Sequence, residues 1–200
     1  VVKSIAARNG LFASFCPKPL PDKSGSGLHI NLSLFQNGNN VFRFGDERNT
    51  KAAESFIAGV LQKTPEMTAF LNPLPNSYER FGSFEAPKYV SWSHGNRSQL
   101  VRIPTAHGER MRMELRSPDP ATNPYLAFAL VISAGLYGIE TNLSLPDSVN
   151  VDLYNADNSI TASLPRLPEN MGEALRLVEK SDFVKSTVGA EVLSSYIHLK

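Results

Sequence analysis

The sequence predicts an α+β fold, in which helices pack on one face of an antiparallel β-sheet. Apolar and polar residues alternate strictly over Leu28–Phe35, which is the period of a half-buried strand. Residues 124–139 are apolar almost all round, which is typical of a buried helix. Strand-like and helix-like segments follow one another without regular βαβ alternation, so we expect an antiparallel rather than a parallel sheet.

Composition excludes several classes of protein. The 200 residues, of which 42% are apolar, suffice for one domain with its own core. A formal net charge of +1 argues against nucleic acid or an anionic membrane as a partner. No apolar run approaches the roughly 18 residues of a transmembrane helix, and no signal-peptide pattern is present. Cys16 is the only cysteine, which fits a reducing compartment, so we expect a cytoplasmic protein.

The chain is predicted to open inside a helix. Residues 1–9 have helical spacing and end at Asn9-Gly10, a common helix stop. We therefore expect the chain to be part of a longer protein. An apolar strand is expected over Leu11–Cys16, before an irregular loop over 17–27 that is rich in Pro, Gly and Ser.

The rest of the chain alternates between extended and helical patterns. Asn37-Gly38 predicts a hairpin turn, and Asn49 or Thr50 is expected to cap the helix that follows. Asn123-Pro124 is an N-cap followed by proline, so the apolar helix is expected to begin there. The remaining predictions are helices to Lys63, over Pro65–Leu71, to Ile139, over Pro168–Glu179 and over Thr187–Leu199, strands over Lys88–Ser93, Gln99–Ile103 and Arg110–Leu115, and loops over 72–86 and 140–168.

Arginines are concentrated in one region. Six of the eleven arginines lie within residues 80–116, where Lys88 is the only other positively charged side chain. Non-specific electrostatic binding would use both residue types, whereas guanidinium forks suit bidentate capture of phosphate or carboxylate. The neighbouring sequence has few aromatic residues, which argues against single-stranded nucleic acid. The six are Arg80, Arg97, Arg102, Arg110, Arg112 and Arg116.

Two predicted strands present polar residues that fit a metal or phosphate site. The strand period places Glu114 and Arg116 on one face, and the polar face of Leu28–Phe35 carries His29. A histidine and a glutamate on one sheet face can hold a divalent cation, and oxygen-rich sites suit Mg²⁺ or Mn²⁺. The alternative is a structural histidine beside solvated charges.

Two loops are candidates for ligand contact. The sequence SGSG before the Leu28–Phe35 strand allows close approach of the backbone to a ligand, although it lacks the lysine and helix of a Walker loop. Glu85 lies near the end of the long loop 72–86. It is either a surface glutamate or the carboxylate of a lid that closes over a site.

Four segments together resemble the signatures of glutamine synthetase. They are KPLPDKSGSGLHINLSL, NPLPNSYER, NRSQLVRIP and ELRSPDPATNPYLAFALVISAGLYGI. The resemblance runs in order from Val1 to the C-terminal helices. It implies a glutamine synthetase/guanido kinase-like catalytic domain, of which residues 1–200 are the C-terminal portion. The N-terminal β-grasp domain and the first catalytic strands would lie upstream.

The resemblance implies an activity, cofactors and an assembly. Members of the family make glutamine from glutamate, ammonia and ATP through a γ-glutamyl phosphate, with Mg²⁺ or Mn²⁺ bound. They form ring-shaped homo-oligomers, often dodecamers. The alternatives are a related γ-glutamyl-amine or polyamine ligase and a non-catalytic assembly homologue. Because the family's acidic E-x-E strand would lie upstream, we expect this chain alone to be inactive.

The resemblance also implies roles for single residues. His29 and Glu114 match metal ligands. Glu85 matches the flap glutamate that shields the acyl phosphate and takes a proton from ammonium. The remaining positions are Gly25, Arg80 and Arg116 for the glutamate substrate, Arg97 and Arg102 for the phosphates and for catalysis, and Asn31, Ser33, Arg97, Arg102 and Arg112 for ATP.

Several positions depart from the family pattern. Ser24 stands where many members have asparagine, and Asn31 where many have histidine. The flap is about one residue shorter than in the commonest form of the family. Tyr154 resembles a tyrosine that some bacterial members adenylylate, and the alternative for it is a packed loop tyrosine.

Overall fold

The computed structural model describes residues 1–43 and 47–200, apart from the side chains of residues 47–49. Its elements are the helices α1 (Val2–Arg8), α2 (Glu47–Leu71), α3 (Pro124–Glu140), α4 (Asn158–Thr161), α5 (Met171–Glu179), α6 (Asp182–Val188) and α7 (Ala190–His198), and the strands β1 (Ile30–Leu32), β2 (Phe35–Gln36), β3 (Asn39–Asn40), β4 (Trp92–His94), β5 (Val101–Ile103) and β6 (Met113–Leu115). Two 3₁₀-helices span Pro75–Arg80 and Gly108–Arg110. No helix in the described part is long and apolar enough to span a bilayer.

The main sheet confirms the predicted α+β class. Its strand order is β1-β6-β5-β4, and β6 pairs antiparallel with both neighbours. The register aligns Asn31 with Glu114 and Arg102 with Glu114. Strand and helix side chains share one apolar core, while Glu114 and Arg102 alternate with core residues along β6 and β5. The predicted hairpin at Asn37-Gly38 also forms, between β2 and β3.

One strand pair departs from the expected antiparallel arrangement. Strands β4 and β5 are parallel, with Trp92 opposite Val101, although only residues 95–100 connect them. Parallel strands usually need a crossover of a dozen or more residues. Here Gly95 turns the chain with a φ of 77°, and the Asn96 side chain accepts a hydrogen bond from the Ser98 amide. This loop returns the chain to the start of the pair.

Other predicted elements were wrong in type or extent. Residues 11–16 form no strand in the described structure, and Leu11 and Phe12 are exposed, because an apolar run needs a paired neighbour to become a strand. Pro65 lies inside the continuous α2 rather than starting a second helix. Gly189 has a φ of 88° and separates α6 from α7, where one helix was expected from Thr187. The predicted loops 72–86 and 140–168 contain the first 3₁₀-helix and α4. Helix α2 begins at Glu47, so the predicted caps Asn49 and Thr50 lie inside the helix, and the side chain of Asn49 is outside the described residues.

Helix α3 is only half buried, although its composition predicted burial all round. Leu130, Val131 and Ala134 are fully buried in the core. The other side of the helix carries Tyr125, Phe128, Ile132 and Leu136, which are exposed in the described structure. Apolar composition therefore identified a helix that is central to the core, but the fraction of its circumference that neighbours cover was overestimated.

Helices α2 and α3 pack unusually closely at three glycines. A Cβ at Gly138 would overlap Ser55 O, and one at Gly59 would overlap Ala134 O. A Cβ at Gly135 would overlap the ring of Phe56. The close contact between the two helices therefore requires glycine at these positions. The backbone atoms that a Cβ would meet at Gly59 and Gly138 cannot move aside as a flexible side chain would.

We predict that Gly138→Ala lowers the free energy of unfolding by about 1–3 kcal/mol, because overpacking outweighs the gain in helix propensity. Urea denaturation of the protein measures this. Gly172→Ala in α5 is the control, because a Cβ there meets nothing closer than 3.4 Å. We expect it to leave stability unchanged or to raise it. Equal effects of the two substitutions would contradict the close-packing interpretation.

Candidate functional site

Glu114 is the centre of a cluster of charged side chains. It lies in the middle of the central strand β6 and is only 8% exposed. Its Oε1 is 3.2 Å from His29 Nδ1, and its Oε2 is 3.0 Å from Arg116 Nη1. The same Oε2 is 2.9 Å from Arg102 Nε, an ion-pair distance without hydrogen-bond geometry. One carboxylate thus faces three side chains that carry or can carry positive charge.

The charges set the protonation states of the cluster. Burial raises the pKa of Glu114, but Arg116, Arg102 and His29 together outweigh burial and hold that pKa below its usual value. Burial and the nearby Arg116 lower the pKa of His29, against the opposing effect of Glu114. At neutral pH the cluster therefore presents an ionised carboxylate beside a neutral imidazole, which is the form of histidine that binds metal.

Arg116 connects the cluster to the flap. Its side chain is only 2% exposed, and its Nε donates to Arg97 O at 3.1 Å. Its Nη2 donates to Glu85 O at 3.3 Å and lies 3.6 Å from Glu85 Oε2. The guanidinium therefore lies between the carboxylates of Glu114 and Glu85, which is the arrangement that compensates a buried positive charge.

The flap is a tight turn at residues 83–86. Gly82 N donates to Ala86 O at 2.9 Å, and Ala86 N donates to Ser83 O at 3.0 Å. Phe84 and Glu85 between them have φ angles of 48° and 67°. Both are in the left-handed region, which is costly for residues other than glycine and is concentrated at functional sites. The turn brings the Glu85 carboxylate 3.1 Å from Arg97 Nη1.

Arg97 lies on the short loop that joins the parallel strands. Its side chain is 62% exposed, unlike that of Arg116. The neighbouring Asn96 Nδ2 donates to Val151 O at 2.8 Å, which holds the loop. Arg102, on β5, is largely buried, and burial lowers its pKa against the raising effect of Glu114. Both arginines therefore lie beside the cluster, but Arg97 is exposed to solvent and Arg102 is largely buried.

A cavity of about 390 Å³ lies between the SGSG loop and the flap. Arg80 lines it and is buried, with Nη1 donating to Ser117 O at 2.9 Å and lying 4.0 Å from Asp119 Oδ2. A Cβ at Gly25 would overlap Pro17 O, so only glycine fits where this loop approaches its own backbone. The lining residues are Lys18, Ser24, Gly25, Gly27, His29, Arg80, Ser83, Phe84, Glu85 and Ala86.

Three of the five residues expected at ATP, namely Asn31, Ser33 and Arg112, form a second, more exposed group. Arg112 Nε donates to Asn31 Oδ1 at 2.9 Å across the β1–β6 pair. Ser33 follows the end of β1 and is exposed. None of these three side chains lines the cavity described above. The predicted residues therefore divide into a buried cluster with its cavity and an outer group on the same two strands.

Tyr154 lies closer to the site than its loop sequence indicated. Its hydroxyl donates to Arg97 O at 3.4 Å, beside the bond from Arg116 to the same oxygen. Burial raises its pKa, Arg116 acts in the opposite direction, and Glu85 adds to the increase. A packed tyrosine beside the flap and a site of modification are both compatible with this position, since it is only partly buried.

His29 and Glu114 fit a divalent cation only as part of its ligand set. They contact each other, so one ion could touch both side chains. No group of three His, Cys, Asp or Glu side chains suited to a metal occurs in the described ranges, 1–43 and 47–200. Mg²⁺ takes six ligands, mostly oxygen. Water, substrate phosphates or residues outside the described structure would have to complete the set.

We predict that the pKa of His29 is below 6.5 in the folded, chelator-treated protein. Because the unfolded state then binds the proton more readily, the free energy of unfolding falls as the pH decreases from about 6.5 to the folded pKa. The substitution Glu114→Gln removes the influences that raise this pKa, so it should decrease further. NMR titration of the imidazole measures both values. Glu109→Gln, at an exposed ion pair with Arg43, is the control, and a rise on Glu114→Gln would contradict the assignment.

Comparison with known proteins is consistent with this geometry. The family described as "Glutamine synthetase, catalytic domain" matches residues 1–200. A glutamine synthetase of Methanosarcina mazei is 44% identical over 206 residues, covering 100% of this chain and 46% of the relative. One from Clostridium saccharobutylicum is 43% identical over 202 residues, covering 98% of this chain and 46% of the relative. The chain thus spans about half the length of these relatives.

Solved structures lead to the same family. A GmaS/ADP complex has a TM-score of 0.86 and 34% identity, covering 100% of this chain and 47% of that one. A ligand-free GmaS structure has a TM-score of 0.86 and 35% identity, covering 100% of this chain and 46% of that one. Sequence match and fold lead to one conclusion: the chain belongs to the glutamine synthetase family, and the match to that family's catalytic domain covers residues 1–200.

Proposed function

We propose that the full protein ligates ammonia to L-glutamate with ATP, through a γ-glutamyl phosphate. The observation that carries this proposal is the cavity that Arg80, His29 and Glu85 of the flap line, together with the ion pair that joins Glu85 to the buried Arg116. A site that transfers a phosphoryl group to a carboxylate needs fixed positive charge and a means of excluding water. The buried arginines would supply the first, and the flap would supply the second.

The glutamate substrate is assigned to the cavity of about 390 Å³. Arg80 and Arg116 are both buried, so their guanidiniums are held at fixed positions before a ligand arrives. Such forks bind carboxylates through paired hydrogen bonds. The backbone at Gly25 lies at the cavity wall, where close approach to the substrate is sterically possible.

The phosphates are assigned to Arg97 and Arg102, and the rest of the nucleotide to the outer group of Asn31, Ser33 and Arg112. Both groups lie on or beside strands of the same sheet, so a nucleotide that lies across the sheet could contact both. The similarity of the fold to that of GmaS in complex with ADP supports a nucleotide here. Developing negative charge on the transferred phosphoryl group would be stabilised by the two arginines.

His29 and Glu114 are assigned to Mg²⁺ or Mn²⁺, which when bound would neutralise phosphate charge. The described residues supply only part of this site. We therefore propose that the 200-residue chain alone has no ligase activity. We also propose a cytoplasmic, ring-shaped homo-oligomer for the full protein, as the family assignment implies.

Glu85 is assigned two functions in the closed flap. Its carboxylate would accept a proton from ammonium, so that neutral ammonia attacks the γ-carbonyl carbon and phosphate leaves. The flap would also keep water from the acyl phosphate. The short distances to Arg97 and Arg116 support a flap that can close over the arginines in the absence of substrate.

We predict that the full protein with Mg²⁺, ATP and glutamate uses ammonium at least tenfold more efficiently than methylamine or putrescine, judged by kcat/KM. Chromatographic quantification of glutamine and of the γ-glutamyl amides measures this. A preference for an amine would assign the protein to the related γ-glutamyl-amine ligases. Absence of any ATP-dependent amide formation would favour a non-catalytic homologue and overturn the proposal.

We predict that Glu85→Gln lowers kcat by roughly 10²- to 10⁴-fold, the usual contribution of a positioned base, with a smaller change in the KM for glutamate. Steady-state kinetics of the full protein tests this. Glu169→Gln is the matched control, because Glu169 is exposed and pairs with Lys88 and Arg166 away from the cavity. A loss confined to KM would show that Glu85 binds substrate without acting as a base.

A further inference from the structure

We propose that Lys18 is a positioning residue that holds the flap closed through the ring of Phe84. This inference rests on the proposed function, since it assigns Lys18 an effect on the reaction that the flap covers. Lys18 lies near the start of the loop 17–27, which ends with SGSG, and it contacts the 3₁₀-helix Pro75–Arg80 and the flap. The Lys18 side chain touches both Lys23 of the loop and Phe84 of the flap.

The backbone of Lys18 is fixed by a single amide side chain. Asn76 Oδ1 accepts from Lys18 N at 2.7 Å, and Asn76 Nδ2 donates to Lys18 O at 2.8 Å. Asn76 belongs to the 3₁₀-helix Pro75–Arg80, so this pair ties the loop to the element that carries Arg80. Prolines 17 and 19 flank Lys18 and restrict its backbone further.

The ammonium group of Lys18 is buried and has unusual partners. Lys18 is only 6% exposed, and its Nζ donates to Lys23 O at 2.6 Å. Nζ also lies 4.3 Å from the centroid of the Phe84 ring. Within the described residues, no carboxylate is within ion-pair distance of it. A buried ammonium without a carboxylate depends on the partners it has, which here are a carbonyl and an aromatic face.

Phe84 has a left-handed backbone conformation that is unfavourable for a bulky side chain, which suggests that its ring has a function. Its φ of 48° is costly for a bulky side chain, and the ring is 52% exposed. Glycine or asparagine would form this turn with less strain. Contact with the Lys18 ammonium offsets the strain, because a partly desolvated cation–π interaction is of similar size to the backbone cost.

The contact fixes the orientation of Glu85. Phe84 and Glu85 are the two central residues of one turn, so the position of the ring determines where the Glu85 carboxylate lies. That carboxylate reaches Arg97 and Arg116. The flap is therefore held at two points, by Lys18 at the ring of Phe84 and by the arginines at the carboxylate of Glu85. Movement of the SGSG loop would be transmitted to the flap through Lys18.

The test compares Lys18→Met, Phe84→Leu, the double variant and Lys18→Arg in the full protein. Lys23→Met is the matched control, because Lys23 lies in the same loop, its side chain is exposed, and its carbonyl is retained. The first readout is hydrogen exchange of the Gly82 and Ala86 amides, whose bonds close the turn. The second is ATP hydrolysed per amide formed, since an open flap admits water that returns the acyl phosphate to glutamate and phosphate.

We expect Lys18→Met and Phe84→Leu each to increase exchange of these amides by roughly 2- to 30-fold, the factor that corresponds to one cation–π interaction. The double variant should show no further increase, and Lys23→Met should resemble the unmodified protein. Lys18→Arg, which keeps a positive charge beside the ring, should increase exchange less than Lys18→Met. ATP consumption per amide should rise in the same variants, with a smaller change in the KM for glutamate.

Additive effects of the two substitutions, or an equal effect of Lys23→Met, would overturn the proposal. If Lys18→Met does not fold, Phe84→Leu at the half-exposed ring still gives the exchange comparison. Amide exchange needs no catalysis, so it tests the contact even if the full protein forms no glutamine. An increase in the ATP hydrolysed per amide formed, without any change in amide exchange, would indicate that Lys18 acts in substrate binding. That result would reject the positioning role.

Discussion

The ionised carboxylate of Glu114, surrounded by His29, Arg102 and Arg116, is the interaction on which the rest of the site depends. Arg102 comes from the flanking strand β5, His29 lies just before β1, and Arg116 lies just beyond the end of β6. Removing one partner of a buried charge pair is far more costly than the pair is stabilising. The strands must therefore pair correctly for the charge of Glu114 to be compensated, because its partners lie on or next to those strands. A cation bound by Glu114 would change the electrostatic field at Arg116. Under the proposed function, metal binding and substrate binding would therefore be linked reciprocally.

Local periodicity predicted the parts of the site that depend on strand faces. Alternation over Leu28–Phe35 and around Glu114 placed His29, Glu114 and Arg116 together, and the structure confirms that they touch. The same reasoning failed for β4 and β5, because a six-residue connection is typical of a hairpin and only the tertiary structure shows that it returns the chain in parallel. The position of Arg97 depends on that loop, so the sequence indicated its residue type but not its placement.

Residues that act through buried partners were not identifiable from the sequence. Lys18 lies in a proline-rich loop and has the pattern of a solvated lysine, but its amide partner Asn76 is 58 residues away. Tyr154 was ambiguous for the same reason, since its contact with Arg97 O spans 57 residues. Burial of α3 was overestimated because hydrophobicity measures the tendency of a helix to be covered and does not identify what covers it. These contacts and the coverage of α3 depend on packing between residues that are far apart in the chain. Residue types alone carry little information about such packing.

The pairing of β1 with β6 also has a consequence for the order of folding. His29 and Glu114 are separated by 85 residues, whereas paired positions in β4 and β5 are nine apart, as Trp92 and Val101 show. Closing the longer loop costs about 2 kcal/mol more in chain entropy, by the logarithmic dependence on loop length. The parallel pair is thus a local contact that can form early, while the antiparallel pair that completes the charged cluster is a late, non-local one. The face of the sheet that carries the charged cluster is then the one expected to assemble late, because its two halves lie 85 residues apart in the chain.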